Sequence, residues 1–141
     1  MASILKVDDL RGNTSAGDIT ITSEGGSATQ TMQNGLAKMW INFNASSGTP
    51  TERDSINISS ITDYSTGRFA PVLTNAMTDT NYSLTGNTNA GTGDSFAAPN
   101  TLALGCNNVI TTTTTTFEAS NYGSTYVDAK YICIQVFGDL A

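Results

Sequence analysis

The sequence holds no histidine, which leaves its carboxylates and its two cysteines as the first residues to weigh for chemistry. Without imidazole there is no Ser–His–Asp or Cys–His pair to activate a nucleophile, and two cysteines alone cannot complete a structural zinc site. The twelve carboxylates are nine Asp with Glu24, Glu52 and Glu118. Asp8 and Asp9 are the adjacent pair, with Asp18 as a candidate third oxygen ligand for calcium. A D-x-D-x-D-G loop is absent, so the pair reads as a solvated turn. A glycosidase needs two carboxylates facing one cleft, and no spacing here selects two. Cys133 lies inside an apolar run and reads as a small buried hydrophobe, a disulfide with Cys106 being the alternative. The residues therefore predict a protein that is not an enzyme and carries no cofactor or metal.

Recognition by contact is a different matter. Trp40 is the only tryptophan. If Met39, Ile41 and Phe43 face a core, Trp40 faces away with Asn42 and Asn44. A subunit interface, a loop of the same domain or a stacked sugar would each cover it. Tyr64, Tyr122 and Tyr126 fall near predicted turns, and the stretch Gly86 to Asn100 adds Asn87, Asn89 and Phe96. Tyrosines among Asn, Ser and Gly make a surface able to contact glycan or protein. The loops 45–53, 86–100 and 120–127 are the expected recognition loops.

Strands must position these residues. Among 141 residues, 23 Thr, 14 Ser, 13 Asn and 13 Gly leave little room for helix-formers, and charged residues are only 13%. The β-branched and turn-forming composition predicts an all-β chain. One domain of this length buries roughly two thirds of its unfolded surface. Asp18–Ser23 alternates around Ile19 and Ile21, and the segment before residue 36 holds too little apolar material for a core of its own. Ala37–Asn44 alternates strongly. Ala45–Glu52 reads as a loop, and Ser55–Ile61 as a strand with Ile56 and Ile58 on one face. Asp63–Gly67 turns the chain into Arg68–Thr74, where Pro71 predicts an edge strand or a bulge. Asn81–Thr85 is a further strand. Asn108–Ala119, with Thr111 to Thr116 at its centre, reads as an extended strand with hydroxyls on both faces. In Lys130–Phe137, Ile132, Ile134 and Val136 share one face, and Tyr131, Cys133 and Phe137 the other with Gln135. Both faces call for burial, which predicts a central strand or one at a subunit interface. The expected architecture is an antiparallel β-sandwich knob over 37–141 behind a short N-terminal β arm over 1–36.

Charge and hydropathy exclude further classes. Net charge is −6, and the three Lys and three Arg are scattered singly, unlike a nucleic-acid surface. The longest apolar run, Tyr131–Phe137, is seven residues against the ~20 that span a bilayer. The opening MASILKVDDLRG lacks the long apolar run of a signal peptide, so folding in a cytoplasm is expected.

The segment KMWINFNASSGTPTERDSINISSITDYSTGRFAPVLTNAMTDTNYSLTG resembles the C-terminal knob module of bacteriophage tail fibres of the marine and cyanophage type. The closing YICIQVFGD resembles the last strand of that module, and MASILKVDDLRG is similar to the opening of such fibre proteins. The resemblance implies a trimeric virion appendage released by lysis, its N-terminus on the particle and its knobs outward, and it carries no catalytic residues. Such fibres have long stems between anchor and knob, whereas only residues 13–36 stand there in this chain.

The expectation is thus a homotrimeric virion structural protein. Ile4, Leu5, Val7 and Leu10 would dock on other virion proteins of the tail or capsid. Trp40, Tyr131, Cys133 and Phe137 would lie at the subunit interface, and the exposed loops would meet a host cell-surface glycan or protein. A capsid decoration or head-fibre protein is the alternative, and a free carbohydrate-binding lectin a third.

Overall fold

The computed structural model describes residues 5–13, 19–22, 25–26, 28–88, 101–104, 111–114, 116–120 and 125–140. The chain divides into two compact units, Met1–Leu36 and Ala37–Ala141. In the first, β1 (Thr20–Thr22) and β2 (Thr29–Thr31) form an antiparallel hairpin, followed by one helical turn, α1 (Met32–Gly35). The Met32 amide donates to the Ile19 carbonyl at 2.7 Å, tying that turn to the start of the hairpin. Leu5, Val7, Leu10, Ile21 and Leu36 all remain exposed.

The second unit is all-β. Its strands are β3 (Met39–Asn44), β4 (Thr51–Ile56), β5 (Ile58–Ser65), β6 (Arg68–Leu73), β7 (Ser83–Thr88), β8 (Thr101–Leu104), β9 (Phe117–Ser120) and β10 (Ile132–Phe137). They make two antiparallel four-stranded sheets in the orders β4-β3-β10-β7 and β5-β6-β9-β8. One core lies between them, drawing Met39, Ile41, Phe43, Ile132, Ile134 and Val136 from the first sheet and Phe69, Leu73, Phe117 and Ala119 from the second. Phe43 meets Phe69 across it edge-to-face, ring centroids 5.5 Å apart. The expected all-β sandwich is the observed fold, and β10 is a central strand.

The chain changes sheets at Asn57. What reads as one strand from Ser55 to Ile61 is two, β4 in one sheet and β5 in the other, and the supposed loop up to Glu52 already contains the first residues of β4. Asn57 takes φ +61°, a left-handed conformation that Asn adopts more readily than other side chains. The reversal separates the two isoleucines that strict alternation puts together: Ile56 is 52% exposed, while Ile58 packs on the core. The Asn57 side chain holds the corner. Its Nδ2 donates to the carbonyls of Lys38 (3.1 Å) and Asn75 (3.0 Å), and its Oδ1 accepts from the Asn75 amide (2.7 Å).

Three further expectations change. The β5–β6 hairpin turns through Thr66-Gly67 alone, with β5 running on through Ser65. Gly67 has φ +69°, and a Cβ there would sit 2.5 Å from the Ala119 carbonyl oxygen, so glycine is required twice over. The Gly67 amide also donates to Asp128 Oδ1 at 2.7 Å, fixing the segment that leads into β10. Pro71 lies in β6, an inner strand rather than an edge. Pairing of β6 with β9 is confined to Arg68 and Phe69, stopping short of the missing donor.

Past that point the described threonines take over: Thr111–Thr114 form a turn, Thr114 bridging to Val72, and of the strand expected over 108–119 only the part from Phe117 is observed as one. Thr111 Oγ1 accepts from the amides of Thr113 (3.2 Å) and Thr114 (2.9 Å), and the Thr111 amide donates to the Thr114 carbonyl (2.9 Å). Hydroxyls that bond their own backbone compete with a ladder. The carbonyls of this turn accept from Leu73 N (via Thr113, 2.8 Å), Met77 N (via Thr112, 2.7 Å) and Tyr82 Oη (via Thr111, 2.9 Å).

Replacing Asn57 separates its two roles. Asn57→Gly keeps the left-handed backbone and loses the side-chain bonds, which costs about 1–2 kcal/mol. Asn57→Ala loses both, adding about 1 kcal/mol. Chemical denaturation should rank wild type above Gly above Ala; equal losses for the two variants would show that the backbone conformation costs alanine nothing.

Candidate functional site

The outer face of the β4-β3-β10-β7 sheet brings Trp40, Cys133 and Asn87 together. Alternation along β3 and β10 sends Met39, Ile41 and Phe43, and Ile132, Ile134 and Val136, into the core, so their neighbours face outward. The register sets those neighbours in rows. In one row Ile56, Trp40, Gln135 and Thr85 lie side by side across the four strands. In the next come Asp54, Asn42, Cys133 and Asn87. Directly opposed residues stand about 4.5–5.5 Å apart. Trp40, Cys133 and Phe137 are half-buried, and Gln135, Thr85 and Asn87 are exposed. Thr85, Gly86, Asn87, Cys133 and Gln135 line a shallow trough of about 230 Å³.

Arg53 is the member that the sequence reading left in a loop. Between Asn42 and Phe43 the register slips, so that Asp54 and Glu52 are paired and Arg53 is the extra residue of a bulge. Bulges re-aim side chains. The Arg53 guanidinium donates to Asn42 Oδ1 at 3.2 Å and lies over the Tyr131 ring, 4.3 Å from its centroid, and Lys130 approaches the same ring at 5.7 Å. The four exposed residues TERD carry no alternation and gave no strand signal, although charge is itself a mark of an edge strand.

Two ionisable groups in or next to this sheet are perturbed. Burial pushes the Cys133 thiol up, and the Arg53 charge pulls against it. Cys133 carries a free thiol. Lys38 is almost fully covered, and desolvation lowers its pKa while Asp139 opposes the shift.

The other expected site residues lie apart from this face. Tyr64 is 60% exposed but belongs to edge strand β5, not to a turn. Asn87, which is on the face, is likewise a strand residue, since β7 runs to Thr88 and not to Thr85. Tyr126 is exposed and bridges to Ser120 at the end of β9. Leu5, Val7 and Leu10 belong to the N-terminal unit. Ile4, Asn89, Phe96, Cys106 and Tyr122 lie outside the described residues. Of the carboxylates weighed for calcium, Asp9 pairs with Arg11 at 2.6 Å, Asp8 is exposed, and Asp18 is outside the described residues. Glu118 is nearly buried and pairs with Arg68 at 3.0 Å on the other sheet. Among the described residues no three of His, Cys, Asp and Glu cluster, and no helix is long and apolar enough to cross a membrane.

Compared with known proteins, the chain matches no family model, no curated protein and no solved structure.

The raised thiol pKa has a direct readout. At pH 8 Cys133 should react with iodoacetamide more slowly than a free-peptide thiol, followed by mass spectrometry of its tryptic peptide. Arg53→Gln should slow it further, because the nearby positive charge favours the thiolate. Labelling at the free-thiol rate would show that burial does not govern this group.

Proposed function

We propose that the chain is a non-enzymatic structural protein of a bacteriophage virion, a short homotrimeric fibre-like appendage. Its residues 1–36 attach to other virion proteins, and its sandwich, 37–141, faces the host surface. The observation that carries this reading is the apolar surface of the N-terminal unit. Leu5 is 76% exposed, Val7 53% and Leu36 54%. A unit of 36 residues with two three-residue strands does not bury such side chains by itself. Covering each fully exposed one against a partner is worth about 1.5–3 kcal/mol. The resemblance of residues 38–86 and 131–139 to fibre knobs supports the same reading, and an antiparallel sandwich suits the projecting part.

A capsid decoration or head-fibre protein is the second reading, favoured by the shortness of the hairpin between the opening segment and the sandwich. In that case the same apolar residues would clamp neighbouring capsid subunits.

Light scattering of the purified chain at micromolar concentration tests the proposal. The fibre reading expects about three times 14.7 kDa, and deletion of residues 2–12 should prevent incorporation into particles while leaving a folded sandwich. A monomer overturns the self-standing fibre and leaves assembly to the shell. Antibody labelling of particles then separates tail from head.

A further inference from the structure

The outer face of the β4-β3-β10-β7 sheet has a composition that suits one occupant better than another. Gln135, Thr85 and Asn87 are exposed side by side, and among the described residues their side chains make no hydrogen bond within the protein. Trp40, a half-buried residue, stands one strand over from Gln135, with exposed Ile56 on its other flank. The interface between two copies of a protein depletes charge and polar groups at its core. Here the inner strands set Asn42 and Gln135 beside Trp40 and Cys133, edge strand β7 adds Thr85 and Asn87, and the β4 margin is Glu52, Arg53 and Asp54, all exposed. A protein surface laid on it would strand those groups unless it matched each one.

We propose that this face is a shallow binding site for a neutral glycan, with Trp40 as its stacking platform and Gln135, Asn87 and Thr85 as its hydrogen-bonding groups. Sugar hydroxyls donate and accept at once, which is what an amide with both an N–H and a carbonyl requires. The C–H face of a pyranose is the apolar counterpart of an indole ring. The trough, about 230 Å³, equals the liquid volume of roughly eight waters. It seats a single sugar ring, and the next unit lies across Trp40. Charge selects against acidic glycans: the chain carries −6, Arg53 is engaged by Asn42 and Tyr131, and Lys130 lies near the same ring. A site this open binds weakly, and an oligomer would multiply it. The inference deepens the host-facing role proposed above by moving recognition from the loops to a sheet face.

Because Trp40 is the only tryptophan, its emission reports occupancy directly. The full chain is titrated with cellohexaose, maltohexaose, laminarihexaose and chitohexaose. At least one should give a saturable blue shift in the millimolar range, and Gln135→Ala or Asn87→Ala should weaken it roughly three- to tenfold. Tyr64→Ala and Tyr126→Ala should leave it unchanged. No saturable change with any of the four sugars overturns the site, as does a change that survives the Gln135→Ala, Asn87→Ala double variant. If those variants instead alter the solution mass and no sugar binds, the face belongs between copies of the chain. The titration does not depend on the oligomeric state, so it can fail while the trimer stands, and the reverse.

Discussion

At Asn57 the chain has to leave one sheet and enter the other within a single residue. A left-handed backbone makes that turn, and the side-chain amide of the same residue ties it to Lys38, just before β3, and to the segment after β6. Everything that faces outward on the first sheet follows from where this reversal falls. Were the strand to continue straight, Ile56 and Ile58 would share a face. With the reversal, Ile58 enters the core and Ile56 is left beside Trp40. The corner therefore closes the sandwich and also sets the apolar border of its exposed face.

Where burial is one-sided and the backbone regular, the sequence was readable. Met39–Asn44 and Ile132–Phe137 alternate because one side of each meets the core, and both are central strands of one sheet. Legibility failed where the backbone departs from that regularity. A positive φ cannot be read from an alternation that it does not interrupt, so Ser55–Ile61 looked continuous. An edge strand with both faces in water, such as Thr51–Asp54, has no apolar period to show. Pro71 pointed to an edge strand or a bulge, yet it lies in inner strand β6, paired with Ile61 of β5. Its strand accommodates it by pairing elsewhere, and that is a property of its neighbour and not of the proline.

The candidate face shows the same division. Trp40, Cys133 and Tyr131 were legible as outward residues because the alternation of their strands fixes them. Their companions were not: Arg53 arrives through a bulge and Asn87 through a strand longer than its apolar pattern. A site assembled across four strands is written in register, and register is set by pairing between segments far apart in the chain.

The threonine turn has a consequence of another kind. A homopolymer holds no positional information, since a turn closed by Thr112 would offer the same hydroxyl to the same backbone as one closed by Thr111. What distinguishes these equivalent turns lies outside the run: Phe117, wholly buried after it, and the amides of Leu73 and Met77, which need carbonyls at fixed places. The run is thus chemically degenerate and structurally single-valued. A change in its length by one threonine would leave every local interaction available, yet force a choice between the buried ring on one side and the waiting donors on the other.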